Sequence, residues 1–288
     1  MSNLRIVAKN EVDHPSCVLT CSVVPTLSLD NLKNPVRGRI ARIPSGAAFD
    51  IKGTYGGTGI YATMVSLIRT NLEPAATWQI YGYSDVAWAT QVFDTGALTA
   101  IDSTDLGTLD FGIEPLGAGI FDPFYGQKMS VAWNVASAGY SGWTRVPLLS
   151  WKITIDDTGN SSGFVDISRL WIGDHFGLTY NPSYGMKLGW KEDTQIWGTD
   201  GGSPRSDAAV PRRELSFDLE QIPEVDRAQW MDILRYCGMR RDVFVSVYPD
   251  GTGEQQRDYA GNWIIQQMPD LTTVGLGRDS THITLREV

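Results

Sequence analysis

The fold of this chain is decided by the stretch Val165-Asp166-Ile167-Ser168-Arg169-Leu170-Trp171-Ile172-Gly173-Asp174 and the segment before it. Residues 151–157 alternate apolar and polar side chains, which places the two kinds on opposite faces of a strand. A polar turn over residues 156–163 separates this strand from the quoted stretch. The pattern predicts a large β-hairpin. Within the quoted stretch the alternation changes phase near Ser168, which predicts a β-bulge there.

Composition limits the class of protein. The chain has 288 residues, of which 42% are hydrophobic and 20% charged, so it can bury a sizeable core and is long enough for two domains. Its net charge of −9 argues against a nucleic-acid partner, because such proteins cluster cations to displace counterions. The short basic groups are interpreted as solvated strand edges or helix ends: Arg37/Arg39/Arg42, Arg212-Arg213 and Arg240-Arg241.

Cysteine usage and hydropathy indicate the compartment. Cys17 and Cys21 would lie about 13 Å apart in an extended segment, too far for a disulfide, and Cys237 falls in a predicted helix. Unbridged thiols fit folding in a reducing cytoplasm. Neither a signal peptide nor a run of 18 apolar residues is visible, so we predict no membrane span.

Two patterns divide the chain. Short strand-like segments separated by Gly-rich turns predict a jelly-roll-type β-sandwich over residues 1–175. Residues 176–288 predict a smaller α+β domain, in which residues 214–220 form an alternating strand and Pro223 opens one main helix. The whole chain is therefore predicted to be mainly β. The helix's apolar stripe is assigned to Ala228, Met231, Leu234 and Cys237.

Patterns of catalysis are absent from the sequence. The histidines lack the tight spacing of a zinc site, and no Gly-x-Ser-x-Gly elbow occurs: His14, His175 and His282. The run Gly56-Gly57-Thr58-Gly59 lacks the lysine and the following helix of a P-loop and is interpreted as a turn. We therefore predict that the chain is not an enzyme and has no catalytic residue, metal ligand or cofactor. A Ser-His-Asp triad stays open, because triads converge only in space.

Two kinds of binding site also stay open. Acidic loops could offer oxygen ligands to calcium, although their spacing differs from that of an EF-hand: Asp102, Asp105, Asp110 and Asp156-Asp157. Aromatic side chains could form a flat platform for a sugar, although core packing or a subunit interface is the favoured interpretation: Tyr81, Tyr83, Trp88, Trp143 and Trp197. Which residues would bind a ligand is unknown at this point.

Three stretches resemble segments of bacteriophage tail proteins. They are residues 62–72 with 76–85, residues 169–174, and Arg212-Arg213-Glu214-Leu215-Ser216-Phe217. The resemblance implies a structural virion protein of the distal tail or baseplate, whose front part is similar to galactose-binding-like sandwiches. It implies other tail proteins and further copies of the chain as partners, in a ring or tip, and assembly in the host cytoplasm. Contact with the host surface or with carbohydrate is compatible with it.

Two other functions are weighed against this one. The first is a carbohydrate-binding module directed at a receptor or glycan, for which a secreted protein would carry a signal peptide. The second, less favoured, is a glycan hydrolase, which needs two carboxylates about 5 to 10 Å apart in a polar cluster. With 33 acidic residues in the chain, such a pair would arise by accident.

Overall fold

The chain is described by a computed structural model that covers residues 4–36, 38–73, 75–100, 129–134, 147–198, 204–207, 211–249 and 258–288. The protein is mainly β and has one main helix, as the sequence predicts. The strands are β1 (Arg5–Val7), β2 (Val18–Cys21), β3 (Ala41–Pro44), β4 (Phe49–Thr54), β5 (Met64–Thr70), β6 (Thr77–Tyr83), β7 (Gln91–Asp94), β8 (Leu98–Thr99), β9 (Met129–Asn134), β10 (Ser150–Asp156), β11 (Phe164–Gly173), β12 (Phe176–Gly177), β13 (Lys187–Lys191), β14 (Gln195–Gly198), β15 (Pro204–Asp207), β16 (Arg212–Pro223), β17 (Asp242–Ser246), β18 (Ala260–Ile265), β19 (Thr272–Gly275) and β20 (Arg278–Glu287). The helix α1 is Glu224–Cys237.

The predicted β-sandwich is present in the first part of the chain. One sheet has six strands in the order β2-β4-β10-β6-β7, with β8 paired to β6, and the other has the order β3-β11-β5-β9. Their inward-facing side chains form one buried cluster that includes Phe49, Trp78, Trp151, Ile153, Leu67 and Leu170. Alternating patterns in β4 and β10 thus place their apolar residues between the two sheets.

The predicted hairpin between β10 and β11 is wrong. β10 pairs with β4 and β6, whereas β11 pairs with β3 and β5, so the turn between them carries the chain from one sheet to the other. Alternation specifies which face of a strand is buried but not which strand lies beside it. A polar turn of eight residues can serve either connection.

The predicted phase change near Ser168 is present. Val165 and Ile167 before it and Leu170 and Ile172 after it all belong to the sandwich core. The predicted β-bulge is not seen in the pairing of β11, because its register with β5 and with β3 does not shift. The irregularity lies in the neighbouring strand β5. There Arg69 has a φ of 52°, and the pairing of β5 with β9 shifts between Leu67 and Thr70.

The second part of the chain forms an eight-stranded sheet covered by the helix. The strand order is β12-β1-β17-β18-β20-β16-β13, with β19 paired to β20. The helix buries Trp230, Ile233, Leu234 and Cys237 against one sheet face, at the i, i+3, i+4, i+7 spacing of a helical stripe. The predicted stripe is therefore displaced: Ala228 is exposed and Met231 only half-buried.

The first strand belongs to this sheet, although it lies inside the range 1–175. β1 pairs with β12 and with β17. The division at residue 175 stays a prediction about domains, but the sheet of the second part includes a strand from the first. A small apolar cluster joins the sandwich to the eight-stranded sheet: Val7, Met64, Ile68, Trp171, Phe244 and Ala260.

A buried ion network connects the same two layers. The guanidinium of Arg169, on β11, donates to both carboxylate oxygens of Asp13, at 2.8 and 2.6 Å. It also donates to Asp242, on β17, at 3.1 and 3.3 Å. The Nδ2 group of Asn262 donates to Asp242 at 3.0 Å. A charge taken out of water needs this degree of pairing, and the paired groups come from both layers.

Candidate functional site

A two-stranded arm with exposed apolar side chains follows the edge strand β13. β13 pairs with β16, and β14 pairs with β15, so the chain leaves the eight-stranded sheet and returns to it. We call β14 and β15 the arm.

The arm presents two large apolar side chains to solvent. Ile196 is 74% exposed and Trp197 is 49% exposed, and Trp190 at the base of the arm is also exposed. Trp197 lies opposite the exposed Arg205 in the arm's pairing. At the base, the guanidinium of Arg286 contacts the carboxylate of Asp193 and links the arm to the end of β20. The arm therefore carries an aromatic and a cation outward from an anchored base.

A cleft of about 420 Å³ lies farther along β16, away from the arm. Its lining includes Asp218, Glu220, Met268, Asp270 and His282. Asp218 Oδ1 and His282 Nδ1 are 2.6 Å apart, Glu220 and Asp270 are exposed, and the Met268 side chain is partly exposed beside them. We call this site the acidic cleft. It combines negative charge with a thioether surface that can pack against an apolar group.

The five aromatic residues considered for a sugar platform do not form one surface. Tyr81 lies on the outer face of the six-stranded sheet, with Lys152 Nζ 4.1 Å from its ring centre, whereas Tyr83 is buried. Trp88 lies near that face at a φ of 57°, and its indole donates to a backbone oxygen of β10 at 3.3 Å. Trp197 is on the arm, and Trp143 lies outside the described residues.

The acidic residues considered for calcium do not converge where they are described. Asp156 is exposed, whereas Asp157 is buried and accepts a hydrogen bond from Asn160 Nδ2 at 2.7 Å. Asp102, Asp105 and Asp110 lie outside the described residues. Among the residues that the structure describes, no group of three or more His, Cys, Asp or Glu side chains is placed to hold a metal ion.

One histidine lies in a polar cleft that the sequence did not predict. His14 and Asp174 line a cleft of about 200 Å³ together with Lys9, Glu11 and Tyr61. Lys9 Nζ and Glu11 Oε1 form an ion pair at 2.9 Å. These residues are up to 165 positions apart in the chain, so no local motif could have revealed the cleft. His175 contacts Thr63 Oγ1 at 2.7 Å, and His282 lies in the acidic cleft.

The three cysteines pack against the two apolar cores. Cys17, Cys21 and Cys237 are free thiols, as the sequence predicts. Burial raises the pKa of all three, to about 11 for Cys237, which disfavours the nucleophilic thiolate at neutral pH. Within the described part of the chain, no helix has the length and apolar character needed to cross a bilayer.

Comparisons with known proteins give distant structural likenesses only. No protein-family model matches the chain, and no curated protein matches its sequence. A fucosidase of Ruminococcus gnavus in complex with fucose aligns at 10% identity and a TM-score of 0.36 over 58% of this chain. This chain spans 27% of that fucosidase.

Two further solved structures are of different kinds. A fucose-binding module of Streptococcus pneumoniae aligns at 10% identity and a TM-score of 0.35, over 57% of this chain and 94% of the module. A chain from the virion of a native gene transfer agent particle aligns at 13% identity and a TM-score of 0.26. That alignment covers 40% of this chain and 84% of the virion chain.

Proposed function

We propose that this chain is a structural virion protein of a phage tail, in the distal tail or baseplate, and that it acts by assembling with copies of itself and with other tail proteins. The observation that carries the proposal is the arm. Ile196 and Trp197 are held outward on paired strands, and exposed aromatic and aliphatic side chains of this size are typical of interfaces.

The segments that resemble tail proteins have identifiable places in this architecture. Residues 62–72 and 76–85 build β5 and β6, and residues 169–174 build the end of β11 that contacts the eight-stranded sheet. Residues 212–217 begin β16 at the base of the arm. The resemblance thus falls on the two sandwich layers and on the strand that supports the arm. We infer from it that the protein resides in the tail and assembles in the host cytoplasm.

The assembly proposal is tested by sedimentation velocity on the full chain. We expect concentration-dependent oligomers for the wild type and a shift toward monomer for the double variant Ile196→Ser, Trp197→Ser. The matched control is the double variant Val18→Ser, Val24→Ser, which removes exposed apolar side chains from the sandwich side of the molecule and leaves association unchanged. A monomeric wild type at all concentrations, or oligomers that the arm variant leaves intact, would refute the proposal.

Carbohydrate binding is the second candidate function, because aromatic rings and ammonium groups meet on the outer face of the six-stranded sheet. Lys52 Nζ lies 5.8 Å from the ring centre of Trp88, and Lys152 lies beside Tyr81. Such a face can offer both ring surface and hydrogen-bond donors to a saccharide. Binding on a glycan array that is lost in Trp88→Ala and kept in Trp197→Ala would support it; identical profiles for both variants and the wild type would contradict it.

A further inference from the structure

We propose that the arm of one copy docks in the acidic cleft of the next copy, so that the chain associates head to tail; this inference rests on the assembly function proposed above. The arm and the acidic cleft are then the two sides of one contact. The arm supplies Trp197 and Arg205, and the cleft supplies Glu220, Asp270 and Met268.

The two surfaces lie at different positions along the same sheet. β16 begins at Arg212, beside the arm, and β20 runs antiparallel to it, with Arg286 opposite Glu214 near the arm. Eight positions separate Arg212 from Glu220, which is about 26 Å in an extended strand. A contact between two different patches of identical chains is heterologous, and it generates a ring when the rotation closes.

Charge and chemistry fit the arm to the cleft. Trp197 and Arg205 lie opposite each other on the arm, so that they can enter one site together. The exposed carboxylates of Glu220 and Asp270 would face the guanidinium, and Met268 would face the indole. A volume of about 420 Å³ falls in the range of clefts that enclose small ligands, which leaves room for an aromatic side chain.

The same observations disfavour a symmetric contact between two arms. Such a contact would bring two Arg205 side chains into one interface and would leave both acidic clefts unoccupied. Like charges placed together oppose association, whereas opposite charges steer it. In the head-to-tail arrangement every arm and every acidic cleft is occupied, except at the two ends of an open chain. In a closed ring all of them are occupied.

A charge-exchange experiment tests the arrangement in solution. Variant one carries Arg205→Glu on the arm, and variant two carries Glu220→Arg and Asp270→Arg in the cleft. We expect each variant alone to associate about tenfold or more weakly than the wild type, because its arm and cleft carry the same charge. An equimolar mixture is expected to regain wild-type association, since each arm then meets a cleft of opposite charge.

The outcomes separate this inference from the assembly proposal. If the wild type associates but variant two does so normally, the cleft takes no part and the head-to-tail contact is refuted, whether the arm binds another arm or a different tail protein. If both variants are impaired and their mixture is not rescued, the pairing of arm with cleft is also refuted. A monomeric wild type would instead refute the assembly function itself. Circular dichroism of each variant shows that it is folded.

Discussion

Arg169→Ala tests whether the buried ion network joins the sandwich to the eight-stranded sheet. The side chain of Arg169 is 3% exposed and makes four hydrogen bonds to Asp13 and Asp242. Its removal leaves the Asp242 carboxylate, which is 9% exposed, with Asn262 as the remaining donor described here. An unpaired buried charge costs about 3–5 kcal/mol of unfolding free energy. Asp13 contributes less to this loss, because its side chain is 38% exposed and can be rehydrated.

Urea unfolding at neutral pH, followed by tryptophan fluorescence, measures that loss. Arg235→Ala is the matched control: it removes an Arg–Asp pair whose side chains are 72% and 73% exposed, and we expect a change of about 1 kcal/mol or less. Adding Asp242→Asn to Arg169→Ala is expected to recover part of the stability, because the buried site is then neutral. An Arg169→Ala protein within about 1 kcal/mol of the wild type would show that the network does not hold the layers together.

Three further perturbations probe the core, the charges and the backbone. Trp78→Ala is expected to lower the unfolding free energy by about 3–5 kcal/mol, because a buried indole is lost, whereas Trp197→Ala on the arm leaves it unchanged; equal urea midpoints would contradict this. Burial raises the pKa of Glu287, but two nearby guanidinium groups outweigh it and hold that pKa below its usual range. The stability from Glu287 is therefore complete above the ordinary glutamate pKa and is lost as pH falls through the folded-state pKa. Unfolding measured from pH 7 to 3 should show a shallower loss in Glu287→Gln, and an identical pH profile would count against it. Gly173→Ala is expected to cost about 1–3 kcal/mol, since its Cβ would lie 2.6 Å from a backbone oxygen, whereas Gly46→Ala, with open space around it, is neutral; similar melting temperatures for the two would refute the clash.

The sequence predicted those features that depend on one strand or one helix. Alternation in residues 214–220 identified the buried side of β16, and the phase change at Ser168 was real. The helix was placed correctly, and Leu234 and Cys237 of its predicted stripe pack on the sheet. Trp230 and Ile233, which were not predicted, complete the stripe in place of Ala228 and Met231. A hydrophobic pattern thus identified an element better than it identified the exact side chains that the neighbouring layer would cover.

Pairing between strands was harder to predict. β10 and β11 are consecutive strands, yet they lie in opposite sheets of the sandwich. β11 lies between the sandwich core and the eight-stranded sheet. Its Trp171 faces the eight-stranded sheet while its Leu170 faces the sandwich core. Every residue of β11 after Phe164 is buried, including its polar ones, so the sequence of this strand does not indicate which strand lies beside it.

The candidate site was outside the reach of sequence analysis for a related physical reason. Trp197 reads as a possible sugar platform or core residue, and only the pairing of β14 with β15 shows that it stands in solvent beside Arg205. The acidic cleft combines β16 with residues about fifty positions later, and neither contribution is a motif. In both the arm and the acidic cleft, the chemistry comes from side chains that the fold leaves exposed. Exposed side chains such as Trp197 and Glu220 contribute little to the free energy of folding. Substitutions at these two positions should therefore weaken association and leave the stability of the fold unchanged.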